Sequence, residues 1–315
     1  MIELSIIFVN WNSTEYLRQC LESVYALTTG INFEVIVVDN ASPQNDADSL
    51  KVLYPSINLI HSKTNVGFAA ANNIGFAQSS GEYVLFLNPD TKLVGPAINV
   101  MLGHLKSLPD AGIVSCRLLN AQLATELESI QPYPTILNRV LDSKLFLRFK
   151  CFRNLGGRAA LFSNSKDAAK VDVVPGTCIM LRREVFAKAG QFSTDYFMYA
   201  EDMDLCYSVR QLGLQTYFLG DASVIHYGGS SSKQRGGSAW AAVMQAKTTM
   251  KFCEKTRGGF YSAGYRLAVG AASFFRLILL SLLIPFSFAF PSLKYLRSSF
   301  RKWLALLKWS AGLAQ

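Results

Sequence analysis

The chain has 315 residues, 50% of them hydrophobic, which is enough for one large core or two modest ones. Its charge is uneven: of 31 Lys+Arg, 13 follow residue 230 with a single acid, Glu254, so the tail carries +12 of a formal net charge of +9 and the first 230 residues carry −3. The tail's bases are interleaved with apolar runs, which points to an anionic membrane surface rather than to nucleic acid, and six cysteines without a C-x-x-C pair exclude the usual zinc patterns and predict buried free thiols.

The N-terminus enters a strand directly, Leu4 to Val9, without the basic stretch and cleavage site of a secretory signal. Ser13 or Thr14 caps a helix to about Leu27, Phe33 to Val38 is a second strand, and a helix covers roughly Asp46 to Leu53. Ile57 to Ile60 is a short third strand, Phe68 to Gln78 a helix, and Tyr83 to Leu87 a buried fourth strand stopped by Asn88-Pro89. Repeated β-α-β units over the first ~115 residues predict a doubly wound, mostly parallel sheet. The loops Asn10-Trp11-Asn12, Asp39-Asn40, Ser62 to Gly67 and Asn88 to Asp90 then share the carboxyl edge, where open α/β sheets bind ligands.

The middle is less regular. Ala111 to Cys116 reads as a strand, and residues 132–167 resist assignment. Val171 to Val174 and Cys178 to Leu181 read as strand pieces around a tight turn at Pro175-Gly176-Thr177. Glu201 to Leu212 is a helix with its acids in the first turn and Gly213 at its end, followed by strands at Gln215 to Leu219 and Ala222 to His226. In the tail, Leu267 to Phe290 is apolar except for Arg276 and Pro285. Leu293, Leu296, Phe300, Trp303 and Leu307 then recur at helical spacing, with Lys294, Arg297, Arg301 and Lys308 on another face. That pattern predicts a basic amphipathic helix in the membrane interface, in preference to a span or a soluble docking helix.

Each candidate group has two readings. Asp39 suits a hydrogen bond to a pyrimidine edge, or forms the turn before Pro43. Asp90 suits a hard divalent cation, or caps a helix. The small residues from Asn65 to Gly75 let a helix start approach a ligand with open amides, or simply pack closely. Glu201, Asp202 and Asp204 serve chemistry or the helix dipole, and His226 a metal or the core. No Walker A and no G-x-G-x-x-G sequence follows a strand, which argues against P-loop and dehydrogenase chemistry.

In their order along the chain, Val9-Asn10-Trp11-Asn12, Val38-Asp39-Asn40-Ala41-Ser42, Asn65-Val66-Gly67-Phe68-Ala69 to Gly75, Leu87-Asn88-Pro89-Asp90, Glu201-Asp202-Met203-Asp204 and Ile225-His226-Tyr227 resemble the motif series of family 2 glycosyltransferases, in particular the rhamnosyltransferase-like branch. The resemblance covers about residues 3–230. It implies a GT-A fold, with 1–115 as the nucleotide-sugar-binding half and 116–230 as the acceptor half, followed by a membrane-associating helical tail at 231–315. It implies an inverting transfer from a nucleotide-diphosphate sugar, dTDP-rhamnose favoured, to a saccharide acceptor, lipid-linked by the reading of the tail. Peripheral attachment to the cytoplasmic face of a bacterial inner membrane follows. Carried over to this sequence, Asp202 is the general base. Asn10, Asp39, Asn65, Gly67, Asn72, Asn88 and Asp90 bind the donor, and Gly176, Thr177 and Glu201 face the acceptor. Asp90, from Asn88-Pro89-Asp90 in place of Asp-x-Asp, holds Mg²⁺ or Mn²⁺ with His226. The rivals are a sugar-1-phosphate nucleotidyltransferase, whose Gly-rich basic loop is missing after the first strand, and a non-catalytic membrane-bound scaffold with the same fold.

Overall fold

The computed structural model describes residues 1–44, 46–141, 155–163, 167–228, 237–283 and 295–313. The chain divides into two compact units. The first comprises Met1–Tyr133, Phe149–Phe197 and Glu201–Ser230; the second comprises Pro134–Arg148, Met198–Ala200 and Ser231–Gln315.

The first unit is built on one sheet with helices on both faces. Its elements are β1 (Leu4–Asn10), α1 (Thr14–Leu27), β2 (Phe33–Asp39), α2 (Ser49–Leu53), β3 (Asn58–His61), α3 (Phe68–Ala77), β4 (Tyr83–Leu87), β5 (Thr91–Leu93), α4 (Ala97–Ser107) and β6 (Ala111–Leu119). After α5 (Ile136–Leu141), which belongs to the second unit, come β7 (Ala168–Val171), β8 (Cys178–Arg182), α6 (Arg183–Lys188), α7 (Glu201–Gln211) and β9 (Gln215–His226). The strand order is β3-β2-β1-β4-β8-β6-β9-β5, with β7 also on β9. The run β3-β2-β1-β4 is parallel, as the β-α-β pattern predicts, and β6 pairs parallel with β9. Strand β8 lies antiparallel between β4 and β6, and β5 and β7 are antiparallel to β9.

Alternation along the strands sends side chains to two cores. Leu4, Ile6 and Phe8 pack with Leu17, Leu21 and Val24 of α1 and Met101 and Leu105 of α4. Ile7, Ile36, Val38 and Phe86 pack on the other face with Ala69 and Ala71 of α3, Phe186 of α6 and Leu205 and Val209 of α7. Because both faces are covered, β1, β2 and β4 read as continuous apolar runs.

Three features differ from the expectation. The pieces around Pro175 do not form a hairpin: Val173 bridges Gln131, while β8 pairs with β4 and β6. A tight turn in sequence does not require its flanks to pair when stronger partners exist elsewhere. The two expected strands after Gly213 are one strand, β9, whose register against β6 shifts between Cys116 and Arg117 to absorb extra residues. The three-residue β5 is too short to show a period, and helix α4, whose Ile98, Met101, Leu102 and Leu105 recur at helical spacing, is legible in the sequence but is not among the expected elements. The expected free thiols are seen at Cys20, Cys116, Cys178, Cys206 and Cys253, all buried; Cys151 lies outside the described residues.

The second unit is helical: α5, α8 (Gly237–Arg257), α9 (Gly259–Leu283) and α10 (Tyr295–Ser310). Its core is Ala242, Ala246, Cys253, Tyr265, Val269, Leu306 and Trp309. Arg266 donates to the carbonyls of Trp309 and Ser310 at 3.0 Å each, satisfying the open end of α10. The buried face of α10 is Leu296, Leu306 and Trp309, so of the expected stripe only Leu296 is fully buried and Phe300, Trp303 and Leu307 are half-buried, while Arg297, Arg301 and Lys308 face out. Exposed apolar surface lies instead on α9. Tyr265, Val269, Ser273 and Leu277 form its buried ridge, while Leu267 is 74% exposed, Phe275 65% and Leu282 66%. By length and composition α9 is apolar enough to cross a membrane, with a mean hydropathy of 1.8 in its most apolar window. Pro285, Leu293 and Lys294 lie outside the described residues.

Candidate active site

The strand register brings the ends of β1 and β2 side by side, Asn10 opposite Asp39. The Asn10 Nδ2 donates to Asp39 Oδ1 at 2.9 Å and to Thr14 Oγ1 at 3.1 Å. Ser42 donates its backbone N–H to Asp39 Oδ2 at 3.2 Å and its hydroxyl to Oδ1. Asp39 therefore does form the turn that the bland reading gives it, and the turn fixes its carboxylate at the end of β2. The turn is strained: Ala41 sits at φ +58°, and Asn12, at φ +51°, hands its amide to Ser42 Oγ at 3.0 Å. Asn10 is fully buried, so it acts as a strut for Asp39.

The segment before α3 differs from the expected open cradle. Asn65 Oδ1 accepts from Gly67 N at 3.1 Å and Asn40 Nδ2 at 3.2 Å; Asn40 Oδ1 accepts from Val66 N at 3.0 Å; Phe68 N donates to Phe197 O at 3.0 Å. Three successive amides, those of Val66, Gly67 and Phe68, are thus engaged within the protein and do not form a ready anion site. Asn72 is buried and donates to Phe68 O at 3.0 Å, inside α3. The small residues serve packing: a Cβ on Gly75 would stand 2.6 Å from the Ile7 side chain. Gly67 has a specific requirement, with φ +88° and a position where a Cβ would lie 2.5 Å from Phe197 O. We expect Gly67→Ala to destabilise the protein by more than about 1 kcal/mol, since Ala at positive φ costs more than it returns in chain entropy. Chemical denaturation of the two proteins, with equal slopes and a lowered midpoint, is the check.

Asp90 follows β4 and precedes β5. Register places Thr91 opposite His226, and Tyr227 N donates to Asp90 O at 2.9 Å, so the acid and the imidazole are neighbours. His226 Nε2 stands 3.6 Å from Asp90 Oδ1, and His226 Nδ1 stands 3.1 Å from Glu126 Oε2. Burial disfavours the charged imidazole, but the hydrogen bond to Glu126 and the charges of Asp90 and Glu126 outweigh it and raise the His226 pKa above its ordinary value. Sequence reasoning missed Glu126, which lies in no recognisable motif and reaches His226 from the segment after β6, the strand paired with β9.

Two further hydrogen bonds join this corner to Asp202. Asn88 N donates to Thr177 O at 2.9 Å, because β8 starts where β4 ends. Next to Thr177, Gly176 N donates to Asp202 Oδ2 at 3.0 Å, and Met203 N donates to Oδ1 at 2.8 Å. Asp202 lies in the first turn of α7, half-buried, beside the buried Glu201. Tyr199 and Ala200 precede this helix at φ +68° and +70°, a costly backbone for residues with a Cβ. Desolvation raises the Asp202 pKa, and the amides of Gly176 and Met203 only partly oppose the rise. A carboxylate held by two amides with a raised pKa is a stronger proton acceptor than an ordinary one.

Asp39, Asp90, Asp202, His226, Gly176 and Thr177 thus all stand where their strands or helix meet one edge of the sheet. A cavity of about 150 Å³ beside Lys170, Asp172, Arg210 and Gln215 contains none of these acids and lies at the other end of β9. It is smaller than the roughly 300 Å³ at which ligand pockets begin. Among the described residues, no group of three or more His, Cys, Asp or Glu is arranged to hold a metal. The pair of Asp90 and His226 nevertheless fits one. A small divalent cation takes one or two protein ligands and completes its shell with substrate phosphates, and two adjacent ligands on it stand about 3 Å apart.

The family model for glycosyl transferase family 2 matches residues 5–190. This chain belongs to that family. The fold is GT-A: a mannosyltransferase of Pyrobaculum calidifontis, solved with GDP-Man and Mn²⁺, superposes with a TM-score of 0.58 over 99% of this chain and 86% of its own, at 15% identity. A low-salt glycan biosynthesis hexosyltransferase of Haloferax volcanii is 30% identical over 66% of this chain, an alignment that spans 62% of that protein. An N-acetylglucosaminyl-diphospho-decaprenol L-rhamnosyltransferase of Mycobacterium tuberculosis is 25% identical over 84% of this chain and 88% of its own length. The chain is therefore a glycosyltransferase of this family, with relatives that act in glycan and polysaccharide biosynthesis. Membership removes the nucleotidyltransferase alternative.

Proposed function

We propose that this glycosyltransferase moves a sugar, rhamnose from dTDP-rhamnose favoured, onto a lipid-linked saccharide with inversion at the anomeric carbon. The observation that carries this reading is the gathering of Asp39, Asp90 with His226, and Asp202 on one sheet edge, linked through Asn88, Thr177 and Gly176. Asp39, fixed by Asn10 and Ser42, presents Oδ2 to the N–H of a pyrimidine base. Asp90 and His226 would hold a Mg²⁺ or Mn²⁺ ion, whose charge would stabilise the departing diphosphate. Asp202 takes the proton of the acceptor hydroxyl as that oxygen attacks the anomeric carbon from the side opposite the diphosphate. Gly176, Thr177 and Glu201, which surround Asp202 in sequence and hydrogen bonding, form the wall on the acceptor side. Asn65 and Gly67 support the donor site through their loop, and Asn10 and Asn72 support it from within.

The rhamnosyl and lipid-linked parts of this reading draw on the mycobacterial relative, whose name specifies a diphospho-decaprenol acceptor. The direct test is transfer from dTDP-rhamnose, set against UDP- and GDP-sugars, to a short polyprenyl-diphosphate saccharide. Product with dTDP-rhamnose supports the donor assignment, and product only with another donor overturns it.

Attachment to a membrane surface, on our reading its cytoplasmic face, draws support for the contact itself from the exposed stripe Leu267, Phe274, Phe275, Ile278 and Leu282 on α9, together with the outward bases Arg297, Arg301 and Lys308 on α10. The full-length protein is expected to sediment with anionic vesicles and to be only partly released by high salt, which screens the charges but not the apolar contact. Leu267→Glu with Leu282→Glu should abolish sedimentation while leaving Mn²⁺-dependent nucleotide binding intact. Full-length protein remaining in the supernatant at low salt contradicts the attachment. Truncation inside α9 is a poorer test, because Tyr265 and Val269 belong to the core of the helical unit.

A further inference from the structure

Glu126 is the group near the metal corner that none of the site motifs contains. It is held independently of that corner. Its backbone N–H donates to Leu118 O at 2.8 Å, its carbonyl accepts from the Ser129 hydroxyl at 2.7 Å, and the adjacent Thr125 bridges Leu119. Leu119 is in turn the register partner of Ile225, the residue before His226. The carboxylate is thus delivered by the neighbouring strand to the far side of the imidazole, 3.1 Å from Nδ1, while Nε2 faces Asp90 at 3.6 Å. The second distance is too long for a good hydrogen bond and leaves room for both atoms to bind a shared ion.

A neutral imidazole carries one N–H and one lone pair, and the group that accepts the N–H decides which nitrogen is left to bind metal. We propose that Glu126 is a positioning residue: it accepts the Nδ1 proton of His226 and so keeps the Nε2 lone pair directed at the cation shared with Asp90. This rests on the reading that Asp90 and His226 hold a divalent cation. Glu126 touches neither the donor nor the reacting atoms; it acts through His226. A carboxylate behind a metal-binding imidazole fixes the ring and its tautomer, and losing such a partner commonly costs 10–100-fold in metal affinity.

The experiment uses the full-length protein. With three histidines in the chain, 15N-histidine labelling gives few signals, and H226Q identifies that of His226. The spectra are taken without metal, at a pH where the imidazoles are neutral. Mn²⁺ affinity is measured separately by electron paramagnetic resonance of free Mn²⁺ at saturating dTDP. In the wild type His226 is expected as the Nδ1–H form. Glu126→Gln keeps an acceptor at the same place and should keep that tautomer and an affinity within about three-fold. Glu126→Ala should mix the two tautomers and weaken Mn²⁺ binding about 10–100-fold. If Glu126→Ala does not fold, Glu126→Asp, which withdraws the acceptor and keeps the charge, should show the same losses.

Unchanged tautomer and unchanged Mn²⁺ affinity without the Glu126 acceptor overturn the proposal. A changed tautomer with unchanged affinity also overturns it, since the ring's orientation would then not matter to the metal. The underlying cation reading is judged separately by D90N and H226Q. If neither weakens Mn²⁺ binding, that reading fails, and the role of Glu126 fails with it.

Discussion

Asp202→Asn lowers kcat by about 10²–10⁴-fold and leaves nucleotide binding in place. That is the range for a positioned general base, and it corresponds to about 2.7–5.5 kcal/mol of activation free energy. The amide cannot take the acceptor proton. It also presents an N–H to one of the two backbone amides, of Gly176 or Met203, that now donate to the carboxylate. A stability loss of about 1 kcal/mol should therefore accompany the kinetic one, and the two are separated by measuring kcat well below the unfolding temperature. The proposed base would work deprotonated and burial raises its pKa, so wild-type activity is expected to fall with decreasing pH at a value raised above that of an ordinary aspartate. The Asn variant's residual activity should lack that acid limb. Glu201→Gln should do less harm, because the proposed proton acceptor is Asp202 and Glu201 only stands beside it. Greater damage from the Glu201 change would reverse the two roles.

Asp90→Asn nearly abolishes transfer and removes the Mn²⁺-dependent part of donor binding. A neutral amide is a poor ligand for a hard cation, and His226 alone cannot hold one firmly. The loss should be about 10²-fold or more in kcat/KM, as for other groups that stabilise a leaving charge. Binding of the nucleotide without metal should survive, because Asp39, the proposed base contact, is held on β1 and β2 and not on β4. Activity unchanged at limiting Mn²⁺ would remove Asp90 from the metal site. His226→Gln should weaken Mn²⁺ binding less than Asp90→Asn, since the carboxylate contributes charge as well as a ligand atom.

Much of the scaffold is legible from local pattern. The apolar runs of β1, β2 and β4 and their polar stops are set by burial and turn chemistry within a few residues, so Asp39 and Asp90 fall at strand ends whatever the rest of the chain does. The helix start at Glu201 and its stop at Gly213, at φ +81°, are equally local. What local pattern does not carry is pairing. Strand β8 could have turned back on Val171 to Val174; its insertion beside β4 instead carries Gly176 and Thr177 to Asn88, and through them links Asp202 to Asp90. Glu126 reaches His226 only because β6 and β9 are neighbours. The loop from Asn65 to Phe68 has the composition of an anion cradle, yet Asn40 and Phe197 engage its amides. In the tail, periodicity finds the helix α10 but not its buried face: of the expected stripe Leu296 is buried and Phe300, Trp303 and Leu307 are half-buried, while the core residues Leu306 and Trp309 are not in it. The buried face packs on α8 and α9, and the exposed apolar surface falls to α9.

Thermal unfolding of the full-length protein with nucleoside diphosphates, each with and without Mn²⁺, tests the central claim most directly: that this sheet edge binds a nucleotide diphosphate through a cation. A ligand at 100 times its dissociation constant adds about 2.7 kcal/mol to the folded state. The account predicts that dTDP or another pyrimidine diphosphate stabilises the protein, that Mn²⁺ increases the effect, and that Asp90→Asn removes only the increment due to metal. Equal melting temperatures with every nucleotide, in the presence and absence of Mn²⁺, would contradict it.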